Sequence, residues 1–122
     1  MNKEVLVIED NEDNLKIITY VLKRAGFEVT AARTGEEGVR LAIKERPAFI
    51  IIDIMLPDID GTEVARRIRG SSADGDIPII AMTSYAMKGD RDKIMAAGCS
   101  GYIEKPFDPL TVMDDIKKIA GI

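Results

Sequence analysis

The chain contains no histidine and no tryptophan, and only one cysteine. Without histidine there is no Ser-His-Asp or Cys-His nucleophile pair, no imidazole base and no His-ligated zinc. A single cysteine excludes an internal disulfide and suits a reducing compartment. No apolar run approaches the ~20 residues of a membrane span. The opening Met1-Asn2-Lys3-Glu4 leads into a short apolar run with no signal-peptide cleavage pattern, so the expected location is cytoplasmic. A basic surplus is missing too: 17 Lys and Arg stand against 21 Asp and Glu, a net charge of −4. That balance argues against a nucleic-acid partner, whose phosphate backbone calls for a basic face. Repeats, low-complexity tracts and long linkers are absent, and 122 residues fit one domain over 1–122. Chemistry here must come from carboxylates, hydroxyls, lysine and a borrowed metal.

Short apolar runs alternate with helical patterns. Val5-Leu6-Val7-Ile8 and Phe49-Ile50-Ile51-Ile52 are near-continuous apolar runs, the signature of strands buried on both faces. Residues 27–32 read as a shorter, mixed strand, residues 77–82 as a further apolar strand, and Tyr102-Ile103 as the centre of a last one. Between them, Leu15, Ile18, Leu22 and Ala25 follow a helical spacing that Gly26 stops. Val39, Ala42 and Ile43 mark a helix that ends before Pro47. Val64 and Ile68 mark a third, with Arg66, Arg67 and Arg69 largely outward as a solvated face. Residues 70–76 are polar loop, residues 90–97 a fourth helix stopped at Gly98, and Val112, Ile116 and Ile119 the inner face of a fifth. Five strand–helix units in strict alternation predict an α/β, doubly wound five-stranded parallel sheet with helices on both faces. Strand order is not fixed by sequence; 2-1-3-4-5, the flavodoxin-like order, is the commonest for such a sheet.

Ligands of open α/β sheets sit beyond the carboxyl ends of the strands. Here those ends carry Glu9-Asp10, Asp53, Thr83-Ser84 and Lys105-Pro106. Three carboxylates gathered within a few ångströms repel one another unless one stays protonated or a cation joins them. A small hard dication, Mg²⁺ or in its place Mn²⁺, takes oxygen ligands and typically one or two carboxylates plus a phosphate oxygen. Asp10 and Asp53 suit direct ligation and Glu9 a water-mediated contact, with a backbone carbonyl just after Asp53, such as that of Met55, completing the set. A metal beside a carboxylate, a lysine and a threonine points to phosphoryl chemistry, which needs positioning and neutralised charge. Lys105 and Thr83 could each hold a phosphoryl oxygen, and Asp53, on the most buried strand, is the candidate nucleophile for an aspartyl phosphate. A lone carboxylate after a strand is more often a helix cap, a task open to Asn11 or Asp13. The set as a whole reads as a site.

These residues resemble the receiver domain of two-component response regulators. The resemblance rests on Glu9-Asp10-Asn11, on Asp53 after its apolar strand, and on residues 57–61. Thr83-Ser84 and Tyr102-Ile103-Glu104-Lys105-Pro106 complete it, so that it spans the whole chain. It implies that Asp53 accepts phosphate from a histidine kinase or a histidine phosphotransfer protein. It implies that Glu9 and Asp10 help hold Mg²⁺, that Lys105 contacts the phosphoryl group, and that Thr83 and Tyr102 form a switch pair. It also implies a cis Lys105–Pro106 peptide. Within the family, Glu9-Asp10-Asn11 with Asn14, and Ala86-Met87-Lys88-Gly89-Asp90, look similar to single-domain regulators of the DivK type, while receivers of hybrid kinases carry similar stretches. Ser84 stands where alanine is more often expected, and Met55 where a side chain lines the route to the phosphate.

The last helix is expected to run nearly to Ile122, leaving no output domain, so a downstream protein target is expected on the face of the fourth helix, fifth strand and fifth helix. Met87 and Met95 could serve adaptable contacts there, although core or edge filling is the commoner use of methionine. Cys99 reads as a small structural hydrophobe. Three rival readings remain. A haloacid-dehalogenase-like phosphatase usually carries a second Asp two residues after its nucleophile, where this chain has Met55. A flavodoxin-like binder needs a phosphate loop where this chain has Glu9-Asp10-Asn11-Glu12-Asp13. A receiver-fold scaffold that works without phosphorylation is the third.

Overall fold

The computed structural model describes residues 2–71 and 76–122; residues 72–75 of the expected polar loop lie outside the described residues. Five strands, β1 (Glu4–Ile8), β2 (Glu28–Ala32), β3 (Phe49–Asp53), β4 (Ile79–Thr83) and β5 (Gly101–Glu104), alternate along the chain with five helices. These are α1 (Glu12–Arg24), α2 (Gly35–Glu45), α3 (Gly61–Gly70), α4 (Lys88–Ala96) and α5 (Val112–Ala120). All strand pairings are parallel, as the alternation predicts, and the order is β2-β1-β3-β4-β5, the commonest one for such a sheet.

Side chains of a strand alternate between faces, and the central strands use both. Leu6 and Ile8 of β1, Ile50 and Ile52 of β3, and Ile79 and Ala81 of β4 face a layer that holds Ala42, Val64, Ile68 and Ile94 from α2, α3 and α4. Their neighbours Val5, Val7, Phe49, Ile51, Ile80 and Met82 face Leu15, Ile18 and Leu22 of α1 and Val112 and Ile116 of α5. Phe49 is fully buried and meets Phe27 edge to face, with ring centroids 5.2 Å apart. Such a pair adds about 0.5–1.5 kcal/mol to what burial alone contributes.

The helix starts are set by short polar side chains. Asn11 Oδ1 accepts from the Asn14 N–H at 2.9 Å, Thr34 Oγ1 from Glu37 at 3.2 Å, and Asp60 Oδ1 from Thr62 at 2.8 Å. The cap of α1 is therefore Asn11 and not Asp13. Two predicted stops, Gly26 and Gly98, have φ of +94° and +104°, a region that costs an L side chain 1–2 kcal/mol or so but glycine nothing. Elsewhere the boundaries moved. β4 begins at Ile79 rather than Ile77, because Pro78 has no N–H for the ladder and offers only its carbonyl, to Ile50 at 2.9 Å. Arg69 is half-buried rather than outward: its Nε donates to the Gly98 carbonyl at 2.9 Å. Met87 and Met95, 75% and 48% exposed, do not fill the core.

Candidate phosphoacceptor and metal site

In the β1–β3 ladder, Ile8 pairs with Ile52, so the next residues, Glu9 and Asp53, emerge side by side at the carboxyl edge. Both are buried, at 5% and 6% exposure, while Asp10 is exposed. One carboxylate oxygen from each of Glu9, Asp10 and Asp53 lies within 4.8 Å of the others, an all-oxygen donor set suited to a hard cation. Lys105 reaches them because its backbone N–H donates to the Thr83 carbonyl at 2.8 Å, which carries the chain from β5 across the end of β4. Its ammonium lies 3.1 Å from Asp53 Oδ2 and 3.3 Å from Glu9 Oε1. The Lys105–Pro106 peptide is cis.

One ammonium does not balance these carboxylates. Burial, followed by the hydrogen bond and the like charge of Asp53, pushes the Glu9 carboxyl up to about 7 against the opposing pull of Lys105. A proton on Glu9 and a dication beside it are thus alternative ways of relieving one excess of negative charge. The donor types fit Mg²⁺ or Mn²⁺, with Asp10, Asp53 and Glu9 as the side chains that could hold it.

The loop after β3 completes the surroundings. Met55 N–H donates to Asp53 Oδ1 at 3.1 Å, while the Met55 side chain stands 63% exposed. Gly61 N–H donates to the Ile54 carbonyl at 2.8 Å, and a Cβ on Gly61 would sit 2.6 Å from the Asp53 carbonyl oxygen, so only glycine lets α3 start this close to the site. Open clefts flank the loop. One of about 410 Å³ runs along Asp10, Met55 and Asp58, and another of about 290 Å³ is bordered by Met55, Thr83, Tyr85 and Lys93.

Thr83 is buried at the end of β4 beside this cluster, but its hydroxyl is turned to its own loop. It accepts from the Tyr85 N–H and donates to the Tyr85 carbonyl, both at 2.9 Å. Tyr102 is half-buried on β5, and its hydroxyl accepts from Arg91 Nη1 of α4 at 3.4 Å. The fold therefore brings Glu9, Asp10, Asp53 and Lys105 together, with Met55 bonded to Asp53, and leaves Thr83 and Tyr102 on the adjoining flank. Sequence reasoning missed two contacts. Asp58 accepts from Gly35 N–H at 2.7 Å and Glu36 N–H at 2.9 Å, and these amides, Glu36 first, hold its carboxyl below the usual range. Arg91 is the other, as the partner of Tyr102. No local pattern marks either: Asp58 bonds to a helix more than twenty residues back, and Arg91 to the strand that follows its own helix.

A five-stranded doubly wound sheet with buried carboxylates and a lysine at its carboxyl edge is the architecture of a signalling receiver domain. A model of the response regulator receiver domain matches residues 5–117, and the chain belongs to that family. It is similar to the polar-differentiation response regulator DivK of Brucella anthropi, 38% identical over 121 residues, which cover 99% of this chain and 98% of that protein. DivK of Brucella ovis is 37% identical over the same length and shares. Among solved structures, the receiver domain of sensor histidine kinase PA1611 from Pseudomonas aeruginosa, with a magnesium ion coordinated in its active-site cleft, has a TM-score of 0.89 at 34% identity and full coverage of both chains. Chemotaxis response regulator CheY4 of Vibrio cholerae has a TM-score of 0.92 at 28% identity, covering 98% of this chain and 99% of that one. The chain is thus a DivK-like response regulator of two-component signalling, a signalling protein and not a dedicated enzyme.

Proposed function

We propose that residues 1–122 act as one receiver unit in which Asp53 accepts a phosphoryl group from a histidine kinase or a histidine phosphotransfer protein. The carrying observation is the Lys105 ammonium lying between Glu9 and Asp53, with Asp10 at their side. Mg²⁺, or Mn²⁺, would be held by Asp10, Asp53, the Met55 carbonyl and, through water, Glu9; when bound it neutralises carboxylate charge and anchors a phosphoryl oxygen. The Asp53 carboxylate attacks phosphorus, a new P–O bond forms, the donor's P–N bond breaks, and the electron pair leaves with the imidazole of the partner. Lys105 holds a second phosphoryl oxygen. Thr83 must give up its bonds to Tyr85 before its hydroxyl can donate to a third, which ties the phosphoryl group to the α4 side of the sheet. Tyr102 is the second member of this switch, turning inward as Thr83 vacates its place. The downstream protein target is read by the face of α4, β5 and α5, where Met87 and Met95 are exposed. Nucleic acid and membrane are not partners in this reading: the net charge is −4, and no helix among the described residues is long and apolar enough to cross a membrane. The proposed location is the cytoplasm.

Intact mass after incubation with acetyl phosphate or a phosphorylated kinase tests the assignment. The expected result is one added phosphoryl group on the wild type in the presence of Mg²⁺ and none on Asp53→Asn. An unlabelled wild type, or equal labelling of the mutant, would sink it.

A further inference from the structure

The first-turn amides of a helix have no partner within it. In α2 those donors are met from outside: the Gly35 N–H by Asp58 Oδ1 at 2.7 Å, the Glu36 N–H by Asp58 Oδ2 at 2.9 Å, and the Glu37 N–H by Thr34. Asp58 belongs to the loop after β3, more than twenty residues on, so this pair of bonds is a clamp between two elements rather than a local cap. Ile59 reinforces it by packing over Gly35, where a Cβ would have no room. The near end of the same loop is fixed by Gly61 against the Asp53 and Ile54 backbone. Met55 lies between these anchors. Its side chain is mostly exposed, so the loop's anchors, and not its own packing, place its backbone against Asp53.

We propose that Asp58 is a positioning residue for the phosphoacceptor site, clamping the β3–α3 loop to the start of α2 so that the Met55 backbone is held facing Asp53. This rests on the reading of Asp53 as phosphoacceptor with a cation beside it. Groups that orient a ligand from outside the coordination shell commonly change metal affinity by about 10–100-fold when removed.

Asp58→Ala, Asp58→Asn and Thr34→Ala separate the clamp from the general stability of α2. Two quantities are read by NMR: hydrogen exchange of the Met55 amide in metal-free protein, and the Mg²⁺ dissociation constant by titration. Asp58→Ala is expected to speed Met55 exchange and to weaken Mg²⁺ binding about tenfold. Asp58→Asn keeps one acceptor oxygen and falls between, which decides the matter if the alanine variant does not fold. Thr34→Ala loosens the Glu37 amide and leaves Met55 and Mg²⁺ binding as in the wild type. Unchanged Met55 exchange in the Asp58 variants, or the same changes in Thr34→Ala, would overturn the proposal. A wild type that takes up no Mg²⁺ would instead overturn the reading of the site, and Met55 exchange would still decide the clamp.

Discussion

At the carboxyl edge of the sheet, the half built on β1 and β3 is bound down from several sides. Glu9 and Asp53 share Lys105, Asp53 holds the Met55 amide, and α1, α2 and α3 each begin on a side-chain cap. The half built on β4, α4 and β5 is looser. α4 has no side-chain cap and buries only Ile94, Tyr102 has one long bond to Arg91, and the Thr83 hydroxyl is satisfied by the backbone of a single neighbouring residue, Tyr85. Local rearrangement is least costly where buried apolar contacts are few and backbone bonds exposed. The first half is therefore suited to receive a charged group in fixed geometry, and the second to change in response.

Lys105 joins the halves, so removing it should have the largest effect. In metal-free protein, Lys105→Ala is expected to cost about 3 kcal/mol, as loss of one partner of a buried ion pair does. Urea unfolding checks this, with part of the loss recovered on adding Mg²⁺. The same variant should remove the phosphorylation-induced NMR shifts around Tyr102; unchanged shifts there would break the link between the halves.

A smaller effect concerns pH. The folded state raises the Glu9 carboxyl from 4.5 to about 7, so it binds a proton that the unfolded chain has released. That contribution is fully present below about pH 4.5 and is lost as pH rises through about 7. Asp53, Asp10 and Lys105 are the charged groups around it. Metal-free protein should lose stability across this window relative to Glu9→Gln, and Mg²⁺ should offset the loss near pH 8. A wild-type stability that rises relative to Glu9→Gln would contradict the sign.

The smallest effect lies in the helices themselves. Amides in the middle of α3, beside the buried Val64, Ala65 and Ile68, should be protected from hydrogen exchange about tenfold more than those of α4. Equal protection would remove the distinction between a fixed and a yielding half.

What could be read from sequence follows the same division. The apolar runs of β1 and β3 made their ends legible, and with them Glu9, Asp10 and Asp53, because burial on both faces leaves a pattern that needs no partner to interpret. No capping residue marks the start of α4, so the sequence pattern points to Asp90 where the helix begins at Lys88. Arg69 looked solvated beside Arg66 and Arg67 because helical spacing does not reveal that the Gly98 carbonyl lies within its reach. Asp58 was hidden inside what reads as a local turn, residues 57–61, although its hydrogen bonds go to another helix. The hydroxyl of Thr83 is a further limit: its position at a strand end was legible, but its present engagement with Tyr85 depends on the path of the loop.

The central claim is that charge arriving at the fixed half is answered in the yielding half. NMR of the wild type with Mg²⁺ and beryllofluoride, a phosphoryl mimic, tests it most directly, with Asp53→Asn as the control. The prediction is that shifts extend from Asp53 through Thr83 and Tyr85 into α4 and Tyr102, while the bodies of α1 and α2 stay unchanged, and that Asp53→Asn shows none of this. Shifts confined to the surroundings of Glu9, Asp10 and Asp53 would contradict it.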